Sequence, residues 1–299
     1  MPNASSLAEA SEALAAAHAA GTRLRIGDDL TTEGLDRILE HEAGDLTCTV
    51  EAGIRLSTLN AALSRHGQRL SLDPPGDPTV GALLAENLSG PFRHRFGAPR
   101  DLVLGVTLVL ADGTVASAGG KVVKNVAGYD LARLVCGSRG HLALIVRASF
   151  RLHPLPRAQR TLVVETEDAP TVIGRLLRSQ LQPSALDVLH PGRIAVLFEG
   201  SERAVGAQLA AARGLVGGAE AGTEVWEEAR RRQGAAHGRV RFEPGRLAGV
   251  LAELPEAVVR PTAGIAYVPH EAPEEMSEGV HRLVDAIRSQ FDPHGVLAP

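Results

Sequence analysis

Residues 74–97 read PPGDPTVGALLAENLSGPFRHRFG. The Pro-Pro-Gly-Asp-Pro opening fixes a tightly turned backbone, because each proline locks φ and the glycine between them supplies the turn. Thr79, Asn87, Ser89 and Gly90 then place small polar or bare positions in an otherwise apolar run. Such positions let a ligand approach the main chain, and consecutive backbone N–H groups in these turns form anion-binding nests. On composition alone, a glycine-rich turn with no ligand is the competing reading. A second stretch shifts the balance. Residues 119–140 read GGKVVKNVAGYDLARLVCGSRG, which gathers Lys121, Lys124, Asn125, Tyr129 and Asp130 around Gly128 and then turns at Gly137-Ser138-Arg139-Gly140. These two lysines are the only ones among 31 basic residues, so arginine occupies the other 29. A chain that fills its surface charge with arginine keeps lysine where a compact, mobile ammonium with an adjustable pKa is needed.

Outward from this centre, the rest of the chain excludes several classes. No two of the 32 glycines are separated by a single residue, so the G-x-G-x-x-G dinucleotide fingerprint is absent. Gly119-Gly120-Lys121 has the ending of a Walker A loop, but Val115 and Val122 stand where its first glycine and its Ser/Thr belong. The net charge of −4 argues against a nucleic-acid partner, which selects a dense basic face. The longest apolar stretch covers nine residues, 102–110, against the roughly 20 of a membrane-spanning helix, so no direct membrane insertion is expected. The Ala-rich N-terminus carries Glu9 and Glu12 and no basic region, and reads as an amphipathic surface helix rather than a signal peptide. Cys48 and Cys136 lie 88 positions apart, with neither a disulfide framework nor zinc-type spacing, which makes the cytoplasm the default compartment.

The periodicity predicts strands at 24–26, 46–52, 101–110 and 142–152, and helices at 56–66 and 130–135. Asp112-Gly113 between two apolar runs predicts a hairpin. After Pro154 and Pro156 the texture changes. Strands are expected at 162–165, 185–190 and 193–199 and within 257–268, and helices at 169–180, 202–215, 224–232 and 274–291. The boundary is placed at 154–157, giving units 1–155 and 156–299, the second a small antiparallel sheet covered by helices.

Residues 76–115 with 119–156 resemble the flavin-binding domain of the vanillyl-alcohol oxidase superfamily, the PCMH-type FAD-binding fold. The string KVVKNVAGYD at 121–130 is similar to that of the E-type FAD-binding subunits of bacterial glycolate oxidase, and the ending FDPHGVLAP at 291–299 is similar to the family's C-terminal segment. The resemblance is strong over 44–155 and weak beyond. It implies an α+β fold, with two α+β subdomains cradling FAD and a small α+β cap over the flavin ring. It implies cofactor contacts from Gly27, Pro75, Gly76, Thr79, Gly81, Asn87, Ser89, Gly90, Arg95, Gly97, Asp101, Gly137, Gly140 and Ile145, with Lys121, Lys124, Asn125, Gly128 and Tyr129 in the specific string.

The chain departs from the family where a Gly-Gly-Gly-Thr diphosphate loop is expected. Here the equivalent is Arg25-Ile26-Gly27-Asp28-Asp29-Leu30, or in another register Gly21-Thr22. At about 6 Å and an effective dielectric of about 20, each aspartate would repel a phosphate by roughly 2–3 kcal/mol. Arg23 and Arg25 stand upstream to offset it; either the loop is shortened and the aspartates point outward, or flavin affinity is reduced. No His or Cys lies in the loop, so FAD is expected to be non-covalent. The cap histidines His190, His237, His270, His281 and His294 are scattered, and no metal site is expected. The resemblance implies an FAD-binding oxidoreductase subunit of a 2-hydroxy-acid dehydrogenase complex acting on glycolate or D-lactate. A sister FAD-containing dehydrogenase subunit and an iron–sulfur subunit would be partners, and through them the cytoplasmic chain would sit at the inner membrane. A flavin-free assembly subunit and a stand-alone FAD oxidase are the alternatives.

Overall fold

The computed structural model describes residues 3–120, 130–272 and 277–298. The first unit holds β1 (Ile38–Glu42), β2 (Thr47–Glu51), the two-residue β3 (Gln68–Arg69), β4 (Val103–Val109), β5 (Val115–Gly119), β6 (Leu144–Arg151) and the two-residue β7 (His153–Pro154). Five of these form an antiparallel sheet in the order β1-β2-β6-β4-β5, and β3 pairs with β7. The Asp112-Gly113 turn joins β4 to β5 as its sequence demands, with the Asp112 carboxylate accepting from the Thr114 amide at 2.9 Å. The helices are α1 (Leu7–Ala20), α2 (Leu56–Ser64), α3 (Val80–Ala85), α4 (Arg93–Phe96), α5 (Pro99–Leu102) and α6 (Leu131–Leu134).

β6 does not keep one alternation along its length. Ile145, Ala148 and Phe150 pack into the main core with α2 and α3, while Leu144 and Val146 face α1. The register against β4 slips between Thr107 and Leu108, and this one-residue irregularity swaps the faces. α1 starts on Ser6, whose hydroxyl accepts from the Glu9 amide, and buries Ala10, Leu14 and Ala17 on one stripe. That stripe is completed by Val296 and Leu297 from the far end of the chain. The Leu24 amide donates to Val296 O at 2.7 Å and the Ala298 amide to Leu24 O at 2.9 Å. The strand expected at 24–26 is therefore only a pair of isolated bridges, because its partner is a short tail rather than a strand.

The second unit is a seven-stranded antiparallel sheet. In chain order its elements are β8 (Ala158–Glu165), α7 (Ala169–Leu177), β9 (Ala185–His190), β10 (Arg193–Gly200), α8 (Glu202–Val216), β11 (Ala219–Ala221), α9 (Glu224–Gly234), β12 (Gly238–Arg241), α10 (Leu247–Glu253), β13 (Ala257–Arg260), β14 (Ile265–Val268) and α11 (Glu278–Phe291). The strand order is β11-β8-β10-β9-β13-β14-β12. Alternation is strict in β10: Ile194, Val196 and Phe198 meet α7, α8 and α10, whereas Ala195 and Leu197 meet α9. The α9 face is turned toward the first unit, where Phe92 joins its cluster. Asp187 and Arg260 share the parity of Leu189 and Val258 and so lie on that face, buried.

Candidate functional site

A cleft of about 380 Å³ opens in the first unit between the 26–33 loop, the start of α3 and the 139–145 segment. Each wall follows from local chemistry. Thr79 caps α3, its hydroxyl accepting from the Ala82 amide at 3.2 Å. Gly27 has φ +98 with open space where a Cβ would stand, so bare backbone faces the cleft. Gly140 has φ +80, and a Cβ there would come within 2.8 Å of Ile26 Cβ, so its bareness lets the two walls approach. Leu30, Leu144 and Ile145 supply apolar lining. Of the residues expected from the sequence, Gly27, Thr79, Gly81, Gly140 and Ile145 meet here.

The question raised by Asp28 and Asp29 has a geometric answer. Both turn onto Arg25, at 3.5 and 3.1 Å, and neither lines the cleft. The loop also bonds to itself: the Gly27 amide donates to Leu30 O at 2.9 Å and the Asp29 amide to Arg25 O at 2.8 Å. It is thus not an open nest of amides. The positive charge comes instead from Arg55 and Arg139, which sequence reasoning missed. Arg55 donates to Glu33 at 3.0 Å and to Asp77 O at 2.9 Å, and Arg139 faces Glu86 at 3.4 Å. These pairs are exposed and weak, so an entering diphosphate exchanges them at little cost. The only sequence signal was the Gly-Ser-Arg-Gly turn around Arg139. Arg55 had none. Bare backbone, two exchangeable arginines, threonine hydroxyls and an apolar wall suit a dinucleotide such as FAD.

The remaining expected residues lie elsewhere. Asn87 (φ +50) and Gly137 (φ +86) sit behind the cleft, where the Gly137 amide donates to Leu84 O at 3.0 Å. Asp101 accepts from the Ala98 amide at 2.8 Å and organises the turn after Gly97. Gly76 (φ +72) has open space beside it, and Pro75 packs on Gly234 of α9. Ser89 and Gly90 lie at the joint between the units, and Arg95 lines a separate cleft there. Lys121, Lys124, Asn125, Gly128 and Tyr129 fall outside the described residues. Both cysteines pack as apolar groups: Cys48 is in the core, and burial pushes the Cys136 thiol up to about 12.

The centre of the joint is polar and buried. Ser89 O accepts from Gln233 Nε2 at 2.9 Å and from Arg260 at 3.3 Å, while Arg260 also donates to Gln233 Oε1 at 2.7 Å. Asp187 faces Arg260 at 3.4 Å, both fully enclosed. Asp73 accepts from the Phe92 amide at 2.9 Å and faces Arg230 at 3.6 Å. Burial pushes the Asp73 carboxyl from its ordinary 3.8 up to about 7, against the pull of that amide and of Arg260 and Arg230. The folded chain then holds a proton that the unfolded chain has already released above about pH 4. Stability should therefore fall as pH rises from about 4 to about 7. Asp73→Asn, which keeps an acceptor for Phe92 without the charge, should flatten this part of the curve. Thermal midpoints across that range check it, and an unchanged slope in the variant would refute the assignment.

Residues 27–119 match the family model described as an FAD binding domain. The fold is that of alkyldihydroxyacetonephosphate synthase, with a TM-score of 0.72 at 16% identity over 97% of this chain and 74% of that one. This fold agrees with the α+β, PCMH-type fold class expected from the sequence.

Among curated proteins, the chain is similar to glycolate oxidase subunit GlcE of Escherichia coli, at 34% identity over 218 residues, 70% of this chain and 61% of that protein. It is 32% identical to glycolate oxidase subunit GlcD of Bacillus subtilis over 59% of this chain and 40% of that protein. It is 38% identical to D-lactate dehydrogenase of Archaeoglobus fulgidus over 54% and 37%. The chain thus spans less than two thirds of the length of these relatives. No helix among the described residues is long and apolar enough to cross a membrane.

Proposed function

We propose that this chain is the FAD-binding subunit of a 2-hydroxy-acid dehydrogenase complex, holding the cofactor non-covalently while a sister flavin subunit oxidises glycolate or D-lactate and an iron–sulfur subunit accepts the electrons. The observation that carries the reading is the make-up of the 380 Å³ cleft. Among the described residues its only ionisable groups are Glu33, Glu86, Arg55 and Arg139, and each carboxylate is tied to an arginine. The cleft can bind an anionic dinucleotide but offers no free acid or base to take the hydroxyl proton of a substrate. Arg55 and Arg139 would hold the diphosphate, Gly27 and Gly140 would let it approach the main chain, and Leu30, Leu144 and Ile145 would exclude water. When bound, flavin supplies hydride and electron transfer. Assembly with partners is supported by α11, which leaves Val280 44% and Leu283 60% exposed on one helical stripe.

The purified chain should show the two visible bands of oxidised flavin and release them on heat denaturation. Arg55→Gln combined with Arg139→Gln should weaken FAD binding by about 100-fold or more, the value of two charge-assisted contacts at about 1.5–3 kcal/mol each. Dye reduction with glycolate or D-lactate should require the partner subunits. A folded, colourless chain that takes up no FAD, or full turnover by the chain alone, would overturn the reading.

A further inference from the structure

Four strands stand at the edges of the two main sheets: β1 and β5 in the first, β11 and β12 in the second. An edge strand presents unpaired amides and carbonyls, and proteins block it with charge, proline, a bulge or shortness. Three of the four are blocked. β1 carries Glu40, His41 and Glu42, and its register is broken between Ile38 and Glu40. β11 is three residues long, and its Glu220 is held by Arg160 at 3.2 Å. β12 carries Arg239 and Arg241. β5 has none of these devices. It reads Val115-Ala116-Ser117-Ala118-Gly119, with no charge, no proline and an unbroken register against β4.

The hydrogen-bonding groups of β5 divide by parity. The Leu110 amide donates to Thr114 O at 2.9 Å and the Gly120 amide to Leu104 O at 3.1 Å, so even-numbered residues point at β4. The amides and carbonyls of Val115, Ser117 and Gly119 therefore point away from it. Among the described residues no strand pairs with them. Val115, Ser117 and Gly119 are all exposed.

Charge decides what can cover this edge. A strand that pairs antiparallel with its own copy about a two-fold axis places each side chain beside its symmetry equivalents. Like charges so placed are destabilising. Self-pairing would gather Glu40 and Glu42 in β1, Glu220 and its equivalent in β11, and Arg239 and Arg241 in β12. Of the four edges, β5 alone escapes this penalty. An axis through Ser117 sets Val115 opposite Gly119 of the second copy, a branched side chain beside a bare position. Ser117 then faces its own equivalent, and every outward residue of β5 finds a main-chain partner.

We propose that β5 is a dimerisation edge, at which two copies of this chain pair antiparallel about an axis through Ser117 and join their five-stranded sheets into one. The pairing uses no residue of the first cleft or of α11, so it is compatible with flavin binding and with the partners proposed above. A five-residue strand is about 17 Å long and buries less than the roughly 1,200 Å² of a standard interface, so the association is weak and reversible.

The test is sedimentation velocity of the full chain from roughly 5 to 200 μM, where a weak interface of this class dissociates. A concentration-dependent monomer–dimer equilibrium is expected. Ser117→Lys and Ser117→Glu each set like charges at the axis and should each weaken self-association about tenfold or more. Their thermal midpoints should stay at the wild-type value, because Ser117 is exposed and belongs to neither core. An equimolar mixture of the two variants should recover the association, because opposite charges then meet across the axis. A chain monomeric over the whole range, variants that associate like the wild type, or a mixture that recovers nothing would each overturn the proposal. A monomeric chain whose Ser117→Lys variant loses a partner subunit would also overturn it and assign the edge to that subunit.

Discussion

Arg260→Met should lower the unfolding free energy by about 3–5 kcal/mol, the cost of leaving one member of a buried ion pair unopposed. Arg260 is 1% exposed and faces Asp187, which has no accessible surface. Its loss leaves Asp187 with only the more distant Arg230. It also removes donors from Ser89 O and Gln233 Oε1, which bridge the two units. At about 2–4 °C per kcal/mol for a chain of this size, the midpoint should fall by roughly 6–20 °C. Arg260→Lys should recover little, since one ammonium cannot reproduce the planar fork that reaches three acceptors. Adding Asp187→Asn to Arg260→Met should restore part of the loss, because it removes the stranded charge. Thermal or denaturant unfolding reads all three. A single variant within about 1 kcal/mol of wild type would show that the pair contributes nothing to the joint.

Gly90→Ala should cost about 3 kcal/mol or more. A Cβ on Gly90 would overlap the Asp73 carbonyl and sit against its carboxylate, and no side-chain rotation relieves an overlap with backbone. Overpacking costs typically about 1–3 kcal/mol, and a rigid clash belongs at or beyond the upper end. Moving residue 90 also drags Ser89, whose carbonyl holds Gln233 and Arg260. Gly76→Ala is the control. Its φ is +72, but the space beside it is open, so only the left-handed backbone penalty of about 1–2 kcal/mol applies. The expected result is a folded, yellow Gly76→Ala protein and an aggregated or flavin-depleted Gly90→Ala protein. Equal recovery and equal flavin content would contradict the close approach at Gly90.

Much of this architecture was legible locally. The Asp112-Gly113 hairpin follows from turn chemistry, and the β9–β10 pair follows from apolar runs either side of Pro191-Gly192. The cleft was half legible. Gly27, Thr79, Gly81, Gly140 and Ile145 meet in it, but Arg55 reaches Glu33 and Asp77 only after the chain has folded back 22 residues in each direction. No local pattern encodes such a meeting. Arg95 shows the same limit from the other side. Its neighbours place it beside a flavin-type motif, yet the short helix α4 carries it with Phe96 into the joint cleft. The bulge in β6 and the buried Asp187–Arg260 pair, 73 positions apart, are likewise products of tertiary packing.

The tail bonded to Leu24 has a consequence in time. Residues 296 and 297 complete the apolar stripe against α1 and hold the strand-like segment that leads directly into the 26–33 wall of the first cleft. They leave the ribosome roughly 270 residues after Leu24, about 14–55 s later at 5–20 residues per second. Throughout that interval the N-terminal unit is exposed with one strip of its core uncovered and the entry to its cofactor wall untethered. Closure of that wall therefore waits on residues 296 and 297, long after the residues that line the cleft have been made.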